Sequence, residues 1–394
     1  MLRYFCSDGE CIMSLNSKKL FREKFGYEPS EMYFSPGRVN LIGEYTDIAG
    51  GHVLPMAIQL GIEASVSLRK DRTVRVFSFK DTVSFSLDNL EKNTKHSWIN
   101  YIIGEFYELE KRGVKVEKGF DIALDSSLPV GSGLSSSACL EVLIGTIINQ
   151  HSLKKVEKLE IVKASKENEN EFMGLSSGIM DQFACEMGEE GKCIFLDTKT
   201  IEYKLSPFII EGHDLVIMNS NRPRKLTDSK YNDRVREMKE GLEDLKPYLN
   251  FNCACDISLE DLEKFKDKIN NPLSYKRLKH LISDNLRVIK ASELLSQGRV
   301  DEFCKVLNEG HQSVSKDFEV AGFELDTLCE EALKGGAKGA RMTGAGFGGC
   351  CIFVSEKSKT KEIMLHVVDA YRQKTGYNCQ CYIASPNDGA KKIS

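Results

Sequence analysis

A chain of 394 residues exceeds the size at which a single hydrophobic core stops growing, which predicts two domains. With 54 basic and 58 acidic side chains its formal net charge is -4, which argues against a general nucleic-acid binder, and 41% hydrophobic and 9% aromatic residues suit a soluble globular protein. No segment approaches the roughly 20 apolar residues of a membrane span, and the opening MLRYFCSDGECIM has no long apolar run, which predicts no signal peptide.

Leu15, Leu20, Phe21 and Phe25 recur at helical spacing, predicting a helix over residues 14–26. Strands follow at EMYFSPGRVNLI, VLPMAI and IEASVSLR, and Arg72 to Leu87 alternates apolar and polar residues around a turn, as a hairpin does. Trp98 to Lys111 reads as helix and Phe120 to Leu124 as a strand feeding a glycine- and serine-rich loop. Helix resumes from Ser136 to about His151, over Leu153 to Phe172, and over Asp181 to Met187. Asp214 to Ser220 is a short buried strand, Ser229 to Leu249 a charged helix, and residues 256–334 almost all helix. The segment GARMTGAGFGGCCIFVSE reads as strand, glycine loop, strand; a helix at Glu362–Tyr371 and a strand at CQCYIAS close the chain. The change of pattern places a boundary near residue 210, giving domains 1–210 and 211–394. Thirteen cysteines without CxxC spacing read as reduced thiols in a cytoplasm, most of them small core hydrophobes.

Four stretches carry chemistry. Ser35 to Ile58, SPGRVNLIGEYTDIAGGHVLPMAI, packs Arg38, Glu44 and Asp47 among six glycines and prolines. A core strand has no use for those charges, whereas carboxylates accept hydrogen bonds from sugar hydroxyls and arginine supplies fixed positive charge. Leu128 to Ala138, LPVGSGLSSSA, lies between a strand and a helix, so backbone N–H groups and the positive end of a helix dipole meet at one point and favour a phosphate. It is neither a Walker A loop nor a dinucleotide fingerprint. Glu169 and Asp181 flank a glycine-broken segment, and each carboxylate could ligate magnesium or take a proton. Arg341 to Cys350, RMTGAGFGGC, is a second glycine loop, suited to nucleotide phosphates or to a tight hairpin.

In order and spacing these stretches resemble the GHMP small-molecule kinases, and within them the galactokinase family. The resemblance runs through PGRVNLIGEYTD (36–47), SWINY (97–101), LPVGSGLSSSA (128–138), SGIMDQF (177–183), DSKYNDR (228–234), RMTGAGFGGC (341–350) and the tail YNCQCYIASPNDGAKKI, nearly the whole chain. It implies an α+β, two-domain fold: an N-terminal ribosomal-protein-type domain and a C-terminal ferredoxin-like domain, with the site between them. It implies ATP- and Mg2+-dependent phosphorylation of galactose at its C1 hydroxyl. Asp181 would take or orient the hydroxyl proton, with Arg38 beside it and the transferring phosphoryl group. Glu44, Tyr45, Asp47, Gly178 and Tyr231 would line the sugar pocket together with Arg38 and Asp181. Gly131, Ser132, Gly133, Leu134, Ser135, Ser136, Ser137 and Ala138 would cradle ATP phosphates, Gly344 and Gly346 would cover them, and Trp98 would lie near adenine. Ser137 and Glu169 would hold the metal.

Two positions depart from the family: Tyr45 replaces a histidine expected to touch the sugar's C6 hydroxyl, and Ile48 replaces a tyrosine. A tyrosine at 45 could still donate one hydrogen bond to the sugar, from a longer and bulkier side chain. That keeps open a kinase retuned for galactosamine, N-acetylgalactosamine or arabinose, and, further off, a non-catalytic galactose sensor. The expected partners are the sugar and ATP, with no nucleic acid and no membrane, and the protein is expected to be a cytoplasmic monomer.

Overall fold

The computed structural model describes residues 2–6, 9–78, 81–129, 131–175, 177–222 and 227–394, with backbone alone for 2–6, 9–13 and 227–229. The tip of the hairpin expected after Arg72, Val130 of the phosphate loop and Ser176 beside SGIMDQF lie outside the described residues.

The strands are β1 (Leu2–Cys6), β2 (Gly9–Met13), β3 (Glu31–Asn40), β4 (His52–Val53), β5 (Pro55–Leu68), β6 (Thr73–Ser78), β7 (Asp81–Ser86), β8 (Phe120–Ser126), β9 (Lys192–Asp197), β10 (Tyr203–Pro207), β11 (His213–Asn219), β12 (Gly339–Thr343), β13 (Cys350–Glu356), β14 (Gln380–Ala384) and β15 (Lys391–Lys392). The helices are α1 (Ser17–Phe25), α2 (Ile99–Lys111), α3 (Ser136–His151), α4 (Lys158–Glu167), α5 (Met180–Met187), α6 (Thr227–Leu245), α7 (Leu259–Lys264), α8 (Pro272–Ser296), α9 (Val300–Ser313), α10 (Gly322–Lys334) and α11 (Thr360–Thr375). Sequence reading leaves β1, β2, β9, β10 and β15 unassigned, and it takes Leu153 to Phe172 as plain helix where α4 gives way to a π-turn at Asn168–Met173.

Among the described residues the strands form three sheets, ordered β15-β3-β5-β8-β6-β7, β10-β9-β4 and β12-β13-β11-β14-β1-β2. All pairs are antiparallel except β6 with β8. The first sheet packs on α2 and α3 over a core of Ile102, Phe106, Leu143 and Ile147 with Val66, Ile122 and Phe120. The last packs on α10 and α11 through Leu328, Val367, Val216 and Phe353, and α9 lies against β12. The ends of the chain cross over. β1 pairs with β14, so the N-terminal hairpin extends the sheet of the second half, while β15 pairs with β3 and completes the sheet of the first.

β3 positions the site. Its pairing with β5 shifts register between Pro36 and Arg38, and such a bulge re-aims the side chain that follows it. Gly37 at the bulge has no room for a side chain: a Cβ there would lie 2.6 Å from Leu128 Cδ2 and 2.7 Å from the Leu134 carbonyl. The phosphate loop therefore closes directly on the strand, and Arg38 N–H donates to Leu134 O at 3.2 Å.

Candidate active site

Many of the residues singled out along the sequence meet at one cleft. A cavity of about 410 Å³ is lined by Arg38, Glu44, Tyr45, Asp47, Glu169, Gly178, Asp181, Tyr231, Gly344 and Ala345, drawn from five separate stretches of chain.

At its centre Arg38, only 4% exposed, grips Asp181 in a two-pronged pair, Nε to Oδ1 at 2.8 Å and Nη2 to Oδ2 at 2.9 Å. Nη1 donates to Gly133 O of the phosphate loop at 2.9 Å. This fork geometry fixes both groups as a lysine could not. Asp181 lies in the first turn of α5, keeps 31% of its side chain exposed toward the cavity, and also accepts from Ser135 Oγ.

That last bond draws one of the loop serines away from its own helix. Ser135 is the N-cap of α3, in a left-handed conformation with φ 62°, but its hydroxyl does not cap the helix. It turns to Asp181, so no cap side chain closes off the first-turn amides of α3, the arrangement in which a helix start serves an anion. Gly131, Gly133 and Gly344 all have positive φ. Among the described residues nothing lies within 4 Å of a Cβ built on Gly131, while one on Gly344 would be 3.1 Å from Gly133 O, so the two glycine loops meet face to face. Ser132 and the Leu134 and Ala138 side chains are buried as support, and Ser136 is exposed at the helix start. Gly346 lies on the far side of its loop, where a Cβ would strike Val320 O at 2.4 Å. Trp98 sits at the start of α2, half-buried against the first core, and does not line the cavity.

Ser137 Oγ donates to Glu169 Oε1 at 2.8 Å beside the phosphate loop. Glu169 is buried in the π-turn, and burial, with the Asp181 charge adding to it, pushes its carboxyl up. A hydroxyl and a confined carboxylate next to a phosphate cradle are hard oxygen donors, few in number, as Mg2+ uses when substrate phosphates and water complete its shell. The residues present fit that ion.

Elsewhere along the cavity Asp47 begins a tight turn, its Oδ1 accepting from Ile48 N–H at 3.0 Å. Burial and the neighbouring Asp181 raise its pKa to about 6. Gly178 closes on it: a Cβ there would lie 1.8 Å from Asp47 Oδ2. Tyr45, with φ 68°, packs its ring 5.1 Å from that of Tyr231 and 4.5 Å from that of Phe318. The hydroxyl donates to Ala345 O at 2.6 Å. The Tyr45 hydroxyl thus has a partner in the second glycine loop, while the residue lines the cavity. Glu44 is 1% exposed, accepts from Asn40 Nδ2 at 3.2 Å and Gly344 N–H at 3.3 Å, and pairs with the buried Arg341. Sequence reading gave neither Arg341 nor Asn40 a part in the site. The available signal was an arginine at the centre of GARMT, a strand buried along its whole length.

The galactokinase galactose-binding signature matches residues 19–68, the GHMP kinase N-terminal domain residues 100–189 and the GHMP kinase C-terminal domain residues 291–373. The chain is 41% identical to the galactokinase of Clostridium perfringens over 97% of its own length and all of that protein's. It is similar to the crystal structure of Lactococcus lactis galactokinase complexed with galactose, with 38% identity, a TM-score of 0.92, and coverage of 95% of this chain and 98% of that one. A mevalonate kinase structure, 18% identical over 90% of this chain and all of its own, shares the two-domain fold with a TM-score of 0.63.

Proposed function

This chain belongs to the galactokinase family of GHMP kinases, and on that premise we propose how its cleft performs the family's reaction. The reaction is phosphorylation of galactose with ATP as co-substrate. The relatives lend no support to another sugar or to a non-catalytic sensor.

The observation that carries the mechanism is the Arg38–Asp181 pair facing the cavity beside the phosphate loop. Phosphoryl transfer asks for alignment and for positive charge near the moving phosphoryl group more than for covalent chemistry. Galactose lies against Glu44, Asp47, Gly178 and Tyr231, with its C1 hydroxyl toward Asp181. Asp181 accepts the hydroxyl proton, or orients it, as the oxygen attacks the γ-phosphorus and the bond from that phosphorus to the β,γ-bridging oxygen breaks, releasing ADP. Arg38, locked by Gly133 and Asp181, faces the charge that develops, and the open amides of the α3 first turn hold the phosphates. Ser137 and Glu169 would hold Mg2+, which when bound screens the phosphate charge.

No helix among the described residues is long and apolar enough to cross a membrane. We propose a cytoplasmic enzyme, in keeping with the free thiols of its described cysteines, and a monomer. Residues 1–210 and 211–394 are the two domains we propose, with their terminal strands exchanged. The deciding experiment is turnover of a sugar panel with ATP and Mg2+, with the product identified by phosphorus NMR. Galactose 1-phosphate should dominate. Turnover of galactose no better than that of arabinose or galactosamine, or phosphate on another hydroxyl, would sink this reading.

A further inference from the structure

The seam between the second glycine loop and the sugar motif is polar, buried and continuous. Thr343 Oγ1 donates to Asn40 O and accepts from Asn40 N–H, both at 2.9 Å. Gly344 N–H donates to Glu44 Oε1, and Tyr45 donates to Ala345 O. Beneath these bonds lies Arg341, with none of its side chain exposed, its Nη2 paired with Glu44 Oε2 and 3.6 Å from Asp284 Oδ2. Asp284 is itself fully buried on α8, with Arg287 3.2 Å from its other oxygen. His280 faces the Glu44 carbonyl at 3.3 Å.

A buried arginine between two carboxylates is costly to place and is destabilised further when one partner is removed, so a position that keeps one has a use for it. Glu44 is the member of the group that reaches the cavity. Its Oε1 already takes two donors, and its Oε2 is turned to Arg341. Burial pushes the Glu44 pKa up, to about 7, and Arg341 is the group that opposes this most. Without Arg341 the carboxyl would take up a proton and become a donor facing the Asn40 and Gly344 donors.

We propose that Arg341 is a positioning residue of the sugar pocket: backed by Asp284, it holds the Glu44 carboxylate in place and ties the second glycine loop to the sugar motif, so that recognition of a neutral polyhydroxylated sugar depends on a side chain that never touches it. The inference rests on the galactokinase reading.

The test compares Arg341→Met, Arg341→Lys, Glu44→Gln and the double variant Arg341→Met/Glu44→Gln in galactose and ATP kinetics, with galactose binding followed by calorimetry. Arg341→Met should raise the galactose KM by about tenfold or more while the ATP KM moves by less than about threefold. The double variant should bind galactose no worse than Arg341→Met alone, because both changes disable the same carboxylate. Should Arg341→Met fail to fold, Arg341→Lys, which keeps the charge but loses the fork, should show the same selective rise in smaller measure. Effects of the two single changes that simply add would overturn the proposal. So would a galactose KM within about twofold of wild type in a folded Arg341 variant, or equal losses for both substrates. A wild-type enzyme that preferred another sugar would overturn the galactose reading, and the shift read with that sugar would still decide the role of Arg341.

Discussion

The tightest steric statement in the site is the contact of Gly178 with Asp47, and Gly178→Ala turns it into a measurement. The added methyl would sit 1.8 Å from Asp47 Oδ2, 2.5 Å from Cγ and 3.1 Å from Cβ, so the carboxylate or the 177–180 segment must retreat by about 1 Å. Asp47 has little freedom to yield. Its Oδ1 is held by Ile48 N–H, and its own carbonyl is held by Thr198 Oγ1 at 3.2 Å. Retreat on the other side moves Asp181, three residues along, off the Arg38 fork. A displacement of about 1 Å at reacting groups costs on the order of 100-fold in rate, so kcat/KM for galactose should fall by roughly that factor. The ATP KM should change little, because the phosphate loop is untouched. Steady-state kinetics with both substrates, alongside a thermal melt, checks this. A folded Gly178→Ala enzyme with kcat/KM for galactose within about threefold of wild type would refute the placement of the sugar against Asp47.

Three further outcomes are expected. Asp181→Ala should lower kcat by at least about 100-fold while leaving galactose binding measurable by calorimetry; unchanged turnover would remove Asp181 from the proton's path. Glu169→Gln and Ser137→Ala should each raise the Mg2+ concentration needed for half-maximal rate by about tenfold or more, in a metal titration at saturating galactose. Asp47 is held near pKa 6 in the fold against an ordinary value of 3.8, chiefly by burial and then by Asp181. The folded state therefore holds its proton more tightly, and the stability this contributes is present below about pH 3.8 and lost as pH rises through about 6. Asp47→Asn should thus be more stable than wild type at pH 7.5, by about 1 kcal/mol once its open cavity face is discounted, and the gain should vanish by pH 4. In the wild type the galactose KM should rise below about pH 6 as this acceptor is protonated.

Much of the site was legible because its chemistry sits in unbroken motifs. Arg38, Asp47, Gly131 to Ala138 and Asp181 each stand where a core strand or a plain cap would have chosen another residue. What stayed hidden were relations across long sequence gaps. No local pattern shows that Ser135 serves Asp181 rather than its own helix, or that Tyr45 is bonded 300 residues away to Ala345. The same holds for the fold. Helical periodicity marked α3 to its end residues, since both its faces are constrained, whereas β9, β10 and β15 are short and polar-edged, and their pairing supplies an order that alternation cannot.

The exchange of terminal strands bears on how the molecule comes apart. β15 cannot leave β3 without freeing an edge of the sheet that carries Arg38, and the β1–β2 hairpin closes the sheet containing β11 and β14. Asn387 N–H to Ala57 O and Ala390 N–H to Cys185 O lace the intervening tail to the first half. Each half thus lends the other a border, and melting one exposes unpaired backbone on both. Denaturant titration should show one transition for the two domains, and a chain nicked at 208–212 should remain a single particle until both halves unfold together.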